Sequence, residues 1–292
     1  MGAKIISICN QKGGVAKTTT TLNMGVGLAR EGYKVLLIDT DQGDLTAALG
    51  WYGTDEMEYT LSHCIESFIE NKPFDVRDYI IKHSEGVDLI PSDIGISFSE
   101  MRMIAAMMRE KIIKNIIEPI KNDYDYILMD CPPSLGMLTI NALTASDSVL
   151  IPVMPQYLST RGMQQLLTTI NNVHRFSNPD LKIEGIVITI KDNRTKDSKE
   201  NAIFVRENYG QYINVFDVEI PIETKAAEST KHAVSVFSYN PAGKATAAYR
   251  DLVSEVIRND EERRFTGRSS IKEAGTDASG VQSVLDSRDA GY

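Results

Sequence analysis

Short runs of apolar residues alternate with longer amphipathic stretches along most of the chain. The runs are continuously apolar, which is typical of parallel strands that are buried on both faces. Those that predict strands are residues 4–9, 35–38, 87–90, 126–129, 148–153, 183–190 and 215–220. The amphipathic stretches that predict helices are residues 18–30, 99–120, 159–176, 199–209 and 243–259. This order predicts an α/β fold, a doubly wound and mostly parallel sheet with helices on both faces.

The hydrophobic pattern divides the chain near residue 259. Residues 1–258 carry the alternating strands and helices and form one predicted domain. Residues 259–292 are polar, contain glycine and serine, and are short of apolar side chains. Because such a segment cannot bury enough apolar surface to fold, we expect a flexible tail. A weak helical turn near residues 281–285 is the most structure that we expect there.

The composition is that of an ordinary soluble protein. The 292 residues include 31 Lys and Arg against 40 Asp and Glu, which gives a net charge of −9. This acidic balance argues against a protein covered by nucleic acid, but it leaves room for a local basic patch. No apolar run approaches the roughly 18–20 residues that a membrane-spanning helix needs. The first residues are too quickly polar for a signal peptide, so we expect a cytoplasmic protein.

Cysteine, histidine and methionine do not indicate a metal or cofactor site. The three cysteines form no Cys-x-x-Cys pair, and the four histidines show no metal-ligand spacing. Cys131 is expected to be a small buried neighbour of the motif that contains it. The predicted helix 99–120 carries four methionines that we expect to fill the core: Met101, Met103, Met107 and Met108.

A glycine-rich turn separates the first predicted strand from the first predicted helix. Its residues are Lys12-Gly13-Gly14-Val15-Ala16-Lys17-Thr18-Thr19. Small residues let backbone N–H groups point inward, and the helix N-terminus adds partial positive charge, so the turn can bind phosphate. Lys17 would reach the β- and γ-phosphates of a nucleotide, and the Thr18 hydroxyl would bind Mg²⁺. An ordinary strand-to-helix turn is the alternative, but lysine followed by two threonines favours the phosphate site.

A second motif follows the strand predicted at residues 126–129. Asp130 ends this apolar strand and is followed by Cys-Pro-Pro-Ser-Leu-Gly. An aspartate in this position is the Walker B arrangement, in which the carboxylate holds a water of the Mg²⁺ shell. A simple cap at the end of the strand is the alternative.

The glycine-rich turn resembles the deviant Walker A motif K-G-G-x-G-K-[ST] of the ParA/MinD superfamily of ATPases. Within that superfamily the sequence is similar to the ParA family over most of residues 1–258. The resemblance rests on the turn and on residues 39–46, 130–143, 152–157, 191–195, 220–221 and 239–241. It implies a deviant P-loop NTPase fold with ATP and Mg²⁺ as cofactors. Two departures are Ala16, where the family has glycine, and a missing proline after Asp41.

The resemblance also implies roles for individual residues. In the family the first lysine, here Lys12, reaches the phosphates of the partner in a nucleotide sandwich dimer, so a homodimer is expected. Asp41 takes the role of orienting or deprotonating the attacking water, although a turn cap is the alternative. The implied catalytic residues are therefore Lys12, Lys17 and Asp41. Pro221 matches a backbone position near adenine.

A basic patch is expected in the second half of the domain. ParA-type proteins bind DNA nonspecifically as ATP-bound dimers, and by position Arg194 and Lys225 match two of their basic residues. Further cations that could widen the patch are Lys196, Lys199, Arg206 and Lys231. Their contacts would be with phosphates, so binding would be insensitive to sequence and sensitive to salt. Ordinary solvated surface charge is the alternative.

The function implied by the resemblance is DNA partitioning, of a plasmid or a chromosome. The ATP sandwich dimer binds bulk DNA, and a ParB-like centromere-binding partner stimulates slow hydrolysis and release, which implies a nucleoid-associated protein. Because the first strand begins at residue 4, the small form without an N-terminal helix-turn-helix is expected.

Three other functions compete with partitioning. A MinD-like membrane-cycling ATPase needs a C-terminal amphipathic helix, and the last thirty or so residues show no apolar stripe. A metabolic relative, either a nitrogenase-reductase-like or a synthetase-like protein, lacks support because no cysteines are placed for a cluster and no small-molecule site stands out. A nucleotide-gated DNA scaffold with little hydrolysis is the third alternative, because Ala16 and the missing proline depart from the family's motifs.

Overall fold

A computed structural model describes residues 2–155 and 160–266, and the predictions for residues 267–292 lie outside this range. Within it, eight strands form one sheet in the order β3-β4-β2-β5-β1-β6-β7-β8. The strands are β1 Lys4–Ile8, β2 Val35–Asp39, β3 Ile81–Lys82, β4 Val87–Ile90, β5 Tyr126–Asp130, β6 Ser148–Val153, β7 Lys182–Lys191 and β8 Val215–Pro221. Every neighbouring pair is parallel except β3 with β4. The predicted fold class is confirmed.

Helices cover both faces of this sheet. In the described chain they are α1 Lys17–Arg30, α2 Asp44–Ala48, α3 Leu61–Ile69, α4 Ile96–Ala105, α5 Ile112–Ile117, α6 Met137–Ala145, α7 Thr160–Phe176, α8 Lys196–Tyr209, α9 Thr224–Lys231, α10 Val236–Tyr239 and α11 Lys244–Thr266. Short 3-10 turns lie at residues 54–56, 76–79, 109–111 and 118–120. No helix in the described ranges is long and apolar enough to cross a membrane.

Two hydrophobic cores lie on opposite faces of the sheet because successive strand side chains alternate. In β2, Leu36 and Ile38 pack into one core with residues of α3 to α8. Val35 and Leu37 pack into the other core, with residues of α1, α2, α10 and α11. Every residue of β2 is buried, which explains why the strand is a continuous apolar run.

The strand order brings the motif-bearing strands together. β1 lies between β5 and β6, and β5 lies between β1 and β2. Asp39 at the end of β2 is in register with Asp130 at the end of β5, and Ile8 of β1 is in register with the same aspartate. Because these strands are parallel, the loops that follow them meet at one edge of the sheet.

The predicted helix 99–120 is wrong in its length. α4 ends at Ala105, and α5 begins at Ile112 after a turn in which Met108 has a positive φ of 52°. The side chain of Asn141 in α6 stabilises this break, since its Nδ2 donates to the carbonyl of Arg109 and its Oδ1 accepts from the N–H of Ile113. A side chain from a distant helix therefore interrupts a stretch that is locally compatible with one helix.

The methionine prediction is wrong for three of its four residues. Met103 is buried, but the other three methionines are 69%, 90% and 60% exposed: Met101, Met107 and Met108. Met101 lies two positions from Met103 in α4 and therefore on the opposite side of the helix from the core. Met107 and Met108 follow the end of the helix at Ala105, so they no longer continue the face that Met103 turns toward the core. Cys131 is buried as predicted.

The last helix passes the predicted domain boundary at residue 258. α11 continues to Thr266, and Asp260 is buried. Lys4 Nζ lies 3.6 Å from the Asp260 carboxylate and 3.0 Å from that of Glu184, and the hydroxyl of Tyr126 donates to Asp260. Because buried charged groups need partners, these contacts hold the end of α11 against the amino edge of the sheet. Residues 259–266 therefore belong to the helix and not to a tail.

Candidate functional site

The glycine-rich turn between β1 and α1 is anchored at both ends by side chains outside it. Asn10 Oδ1 accepts from the N–H of Lys12 at 2.9 Å, and Asn10 Nδ2 donates to the carbonyl of Pro152 at 2.7 Å. Thr189 Oγ1, from β7, donates to the carbonyl of Val15 at 2.9 Å. The turn is therefore fixed to the carboxyl ends of β6 and β7.

The turn leaves an open cradle in front of α1. Gly13 and Gly14 are exposed, and a Cβ at either position would have no atom within 4 Å. Gly14 has a φ of 74°, which glycine adopts without steric cost. α1 begins at Lys17, so its first N–H groups and its dipole face this space. Backbone N–H groups at the beginning of a helix are a common binding site for phosphate.

Ala16 carries backbone strain. It is the N-cap residue of α1, and its φ of 64° and ψ of 35° lie in the left-handed region. For a residue with a Cβ this conformation costs roughly 1–2 kcal/mol, whereas glycine adopts it freely. The departure from the family motif at Ala16 therefore carries a backbone cost at the end of the phosphate turn.

Lys17 is buried among carboxylates at the beginning of α1. Its side chain is only 7% exposed, and its Nζ donates to the carbonyl of Lys12 at 3.4 Å. Burial raises the pKa values of Asp130 and Asp41, and the positive charge of Lys17 lowers both by a smaller amount. Lys12 is half-buried in the same turn. Lys17 thus lies inside the protomer, where it can neutralise a bound phosphate.

Asp130 is buried next to the threonines of α1. Its Oδ1 accepts from Thr21 Oγ1 at 3.2 Å, while the buried Oδ2 has no hydrogen-bond partner in the described part of the chain. Burial raises the pKa of Asp130 well above its usual range, and the nearby charge of Asp39 raises it further, whereas the neighbouring Thr18 hydroxyl and the charge of Lys17 lower it. An unsatisfied carboxylate oxygen in a buried position indicates a missing polar or cationic partner.

The segment after β2 contains two aspartates with different environments. Asp39 is fully buried, and its carboxylate accepts from the N–H and hydroxyl of Thr46 at 2.9 and 2.7 Å and from the N–H of Asp41 at 3.0 Å. Burial outweighs these bonds and raises the pKa of Asp39 to about 7. Asp41 is half-buried, and burial with the charge of Asp44 raises its pKa as well. Asp39 therefore fixes the loop through three hydrogen bonds, whereas the Asp41 carboxylate accepts one, from the N–H of Gln42 at 2.9 Å.

These groups fit a magnesium ion that is shared with a nucleotide. No set of three or more His, Cys, Asp or Glu side chains in residues 2–155 and 160–266 is arranged to hold a metal directly. Mg²⁺ normally takes one or two carboxylates and completes its shell with waters and phosphate oxygens. The Thr18 hydroxyl would bind such an ion directly, and the unpartnered Oδ2 of Asp130 would hold one of its waters. The donor set therefore agrees with Mg²⁺ only when a phosphate is also present.

Pro221 lies on the same edge of the sheet. It is the last residue of β8, in register with Lys191, and it is half-buried. β7, which anchors the glycine-rich turn through Thr189, lies directly beside β8. The contact between Pro221 and adenine remains a prediction, since the structure gives its place along the edge and no more.

Arg194 and Lys225 follow the adjacent parallel strands β7 and β8, as predicted. Arg194 is 82% exposed, but its guanidinium makes two hydrogen bonds to Asp192, from Nε at 2.9 Å and from Nη2 at 2.8 Å. These bonds lower the pKa of Asp192 to about 2. Lys225 is exposed on α9.

Acidic partners also neutralise part of the wider basic set. Lys196 pairs with Glu200 at 3.2 Å, and Arg206 pairs with Glu219 at 3.2 Å. Lys199 and Lys231 are exposed, and neither has an ion pair within the described residues. The predicted patch is therefore less positive than its cations alone indicate.

Sequence reasoning missed the residues that position the site. Asn10 and Thr189 hold the phosphate turn, and Thr21 and Asp39 support the two carboxylate loops. The sequence does contain a signal for Asp39, because this aspartate directly follows the apolar run at residues 35–38. No local pattern identifies Thr189, because its role depends on β7 lying beside β6.

Comparisons with known proteins found similar chains over most of this sequence. A family model described as an AAA domain matches residues 3–183. The sporulation initiation inhibitor protein Soj of Bacillus subtilis is 41% identical over 261 residues, covering 88% of this chain and 99% of that protein. The chromosome partitioning protein ParA of Caulobacter vibrioides is 36% identical over 265 residues, covering 89% and 96%. A crystal structure of cobyrinic acid a,c-diamide synthase from Mycobacterium smegmatis with bound ATP analog and magnesium is similar with a TM-score of 0.76 and 30% identity, covering 94% and 99%.

Proposed function

The chain belongs to the ParA family of P-loop ATPases, and on that premise we propose that it is a DNA-partitioning ATPase. It binds ATP with Mg²⁺, dimerises around the nucleotide, and in that state binds DNA without sequence preference. A ParB-like partner stimulates hydrolysis and so releases the dimer from DNA. The protein would then be found on the nucleoid.

The observation that carries the proposal is the arrangement of the open cradle, Lys17 and the unpartnered oxygen of Asp130 at one edge of the sheet. The N–H groups of the turn and of α1 would bind the phosphates, and Lys17 would neutralise their charge. Thr18 and Asp130 would hold Mg²⁺, directly and through water respectively. When bound, Mg²⁺ supplies charge neutralisation on the β- and γ-phosphate oxygens.

Asp41 is the group that we propose for hydrolysis. Its carboxylate is half-buried, near Lys17, and is held by the N–H of Gln42 at 2.9 Å. A carboxylate with a raised pKa near the phosphate site can orient a water and accept its proton. Phosphoryl transfer depends mainly on positioning and charge neutralisation, so a slow basal rate is expected.

The homodimer rests on the family. Lys12, half-buried in the turn, matches by position the lysine that in the family reaches the phosphates of the partner protomer. Dimerisation doubles the number of exposed cations on the surface after β7 and β8, which explains why DNA binding would require ATP.

Substitution of Asp41 tests the enzymatic part of the proposal. Asp41→Ala should keep ATP binding and ATP-dependent dimerisation but lose most of the phosphate release, leaving a dimer that stays on DNA. Asp180→Ala, which removes an exposed aspartate just before β7, at the opposite end of that strand from the site, is the control and should keep turnover. Hydrolysis by Asp41→Ala at the wild-type rate would show that another group positions the water.

Two alternatives are decided by the same assay. A nucleotide-gated scaffold predicts no phosphate release by the wild type, even with DNA and partner present, and the strain at Ala16 keeps this possibility open. A synthetase-like activity has support from a structural relative at 30% identity, which is lower than the 41% identity to Soj. ATP turnover stimulated by DNA and a partner, with no small-molecule acceptor, favours partitioning over both.

A further inference from the structure

α4 makes one hydrogen bond to each of the two loops that follow the aspartate-bearing strands. On one side, Gln42 Nε2, next to Asp41, donates to Ser97 Oγ at 2.9 Å. On the other side, the N–H of Leu138 donates to Glu100 Oε1 at 3.1 Å. Positions three apart are neighbours on a helix surface, so Ser97 and Glu100 share one face of α4. That face therefore contacts both loops.

Glu100 completes the beginning of α6 from outside the helix. The N-cap residue of α6 is Gly136, which has no side chain to accept the first N–H groups. The Glu100 carboxylate accepts one of them, and its negative charge faces the positive end of the helix dipole. A Cβ at Gly136 would collide with Glu100 Oε1, so the close approach of the carboxylate depends on glycine. Glu100 thus fixes the far end of the loop that begins at Asp130.

Other contacts hold α4 itself in place. Ile96, Ser99 and Met103 are buried on its inner face. Ser99 Oγ donates to Glu66 Oε1 of α3 at 2.8 Å, and Arg102 forms an ion pair with the same glutamate. These contacts do not involve either loop. α4 is therefore a fixed element against which both loops can be positioned.

We propose that α4 is a brace between the Asp41 loop, residues 40–43, and the Asp130 loop, residues 131–136, which leads into α6. It holds the two loops at a set separation, and Ser97 and Glu100 are positioning residues for hydrolysis. The inference rests on the proposed function, because the separation of the loops affects turnover only if they act on a bound nucleotide. Neither residue touches the nucleotide. Each acts through the loop it binds, Ser97 through Gln42 and Glu100 through Leu138.

Turnover and binding should respond differently to loss of the brace. Glu100→Ala removes the acceptor of the Leu138 N–H, and we expect ATP turnover to fall roughly tenfold. The dissociation constant for Mg²⁺–ATP should change by less than about twofold, because Asn10 and Thr189 anchor the phosphate turn separately. Ser97→Ala removes a more exposed, neutral bond and should lower turnover roughly threefold.

Two further variants separate positioning from general damage to the fold. Glu100→Gln keeps an acceptor oxygen at the same reach, so it should recover at least about half of the wild-type turnover. Glu110→Ala removes a nearby glutamate that pairs only with Arg109 in the described structure, and it should behave as wild type.

Hydrogen–deuterium exchange without nucleotide tests the brace independently of catalysis. If α4 couples the loops, Glu100→Ala raises exchange in residues 131–140 and also in residues 41–46, which Glu100 does not contact. Exchange that rises only in residues 131–140 overturns the inference, as does wild-type turnover in Glu100→Ala. A wild type that hydrolyses no ATP refutes the proposed function, while the exchange experiment still decides whether the brace exists.

Discussion

The nucleotide edge and the basic surface use charge in opposite ways. At the nucleotide edge, Lys17, Asp39 and Asp130 are buried, and hydrogen bonds from other strands and helices fix their positions. On the basic surface, Arg194 and Lys225 are exposed, and Arg194 is paired with an aspartate two residues away. A buried charge keeps its full effect on a ligand, whereas an exposed pair is weakened by solvent and salt.

The comparison shows why residue types alone predict the phosphate cradle better than they predict the basic surface. A motif of small residues, lysine and threonine defines the phosphate cradle wherever it joins a strand to a helix. A set of surface cations defines an anion site only after their acidic partners are known. Because exposed ion pairs are weak, DNA phosphates can compete for Arg194, and the surface can still bind DNA.

The buried site should give the largest effect of a single substitution. Lys17→Ala removes the charge that neutralises the phosphates, and we expect ATP affinity to fall roughly 100-fold or more. Titration with a fluorescent ATP analogue measures the change. Lys34→Ala, which removes an exposed lysine before β2, should bind ATP as the wild type does. Unchanged affinity in Lys17→Ala would refute the site.

The exposed site should need two substitutions for a comparable loss. Arg194→Glu with Lys225→Glu should abolish ATP-dependent DNA binding and leave nucleotide binding and dimerisation intact. The matched control is Lys72→Glu with Lys82→Glu, the same change of charge near the β3 edge of the sheet. A mobility-shift assay with and without ATP measures both. If the first double variant binds DNA normally, the patch lies elsewhere.

Removal of the acidic partner should strengthen DNA binding. Asp192→Asn frees the Arg194 guanidinium and removes a negative charge, so affinity at low salt should rise by roughly threefold to tenfold. Asp197→Asn removes the same charge from α8, where the carboxylate contacts Asn201 and not Arg194. An equal gain in both variants would mean that net charge matters and the ion pair does not.

The smallest effect concerns the strain at the phosphate turn. Ala16→Gly relieves the left-handed conformation, and after the greater entropy of glycine in the unfolded chain it should stabilise the protein by about 0.5–1 kcal/mol. The melting temperature should rise by roughly 1–3 °C. Ala247→Gly on α11, where the backbone is helical, should have the opposite sign. Destabilisation by both changes would show that Ala16 is unstrained.

Much of the architecture could be predicted because strand and helix periodicity are local properties. The apolar runs at residues 35–38 and 126–129 are strands, and the aspartates that end them meet in register. The order of the strands could not be read from the same runs, since β1 lies beside β5 and β6 and not beside β2. The interruption of the helix predicted at 99–120 was also hidden, because Asn141 lies about thirty residues away.

By itself the sequence predicted which side chains would bind a phosphate and Mg²⁺, through Lys17 and Thr18 in the glycine-rich turn and the aspartate at the end of a strand. Those relations hold within a few residues, so local geometry is enough. Only the tertiary structure decided that Asn10 and Thr189 hold the turn, that α4 contacts both aspartate loops, and that Asp192 neutralises Arg194. These depend on strand order, on helix packing and on which polar groups remain exposed, because burial and pairing are properties of the folded chain.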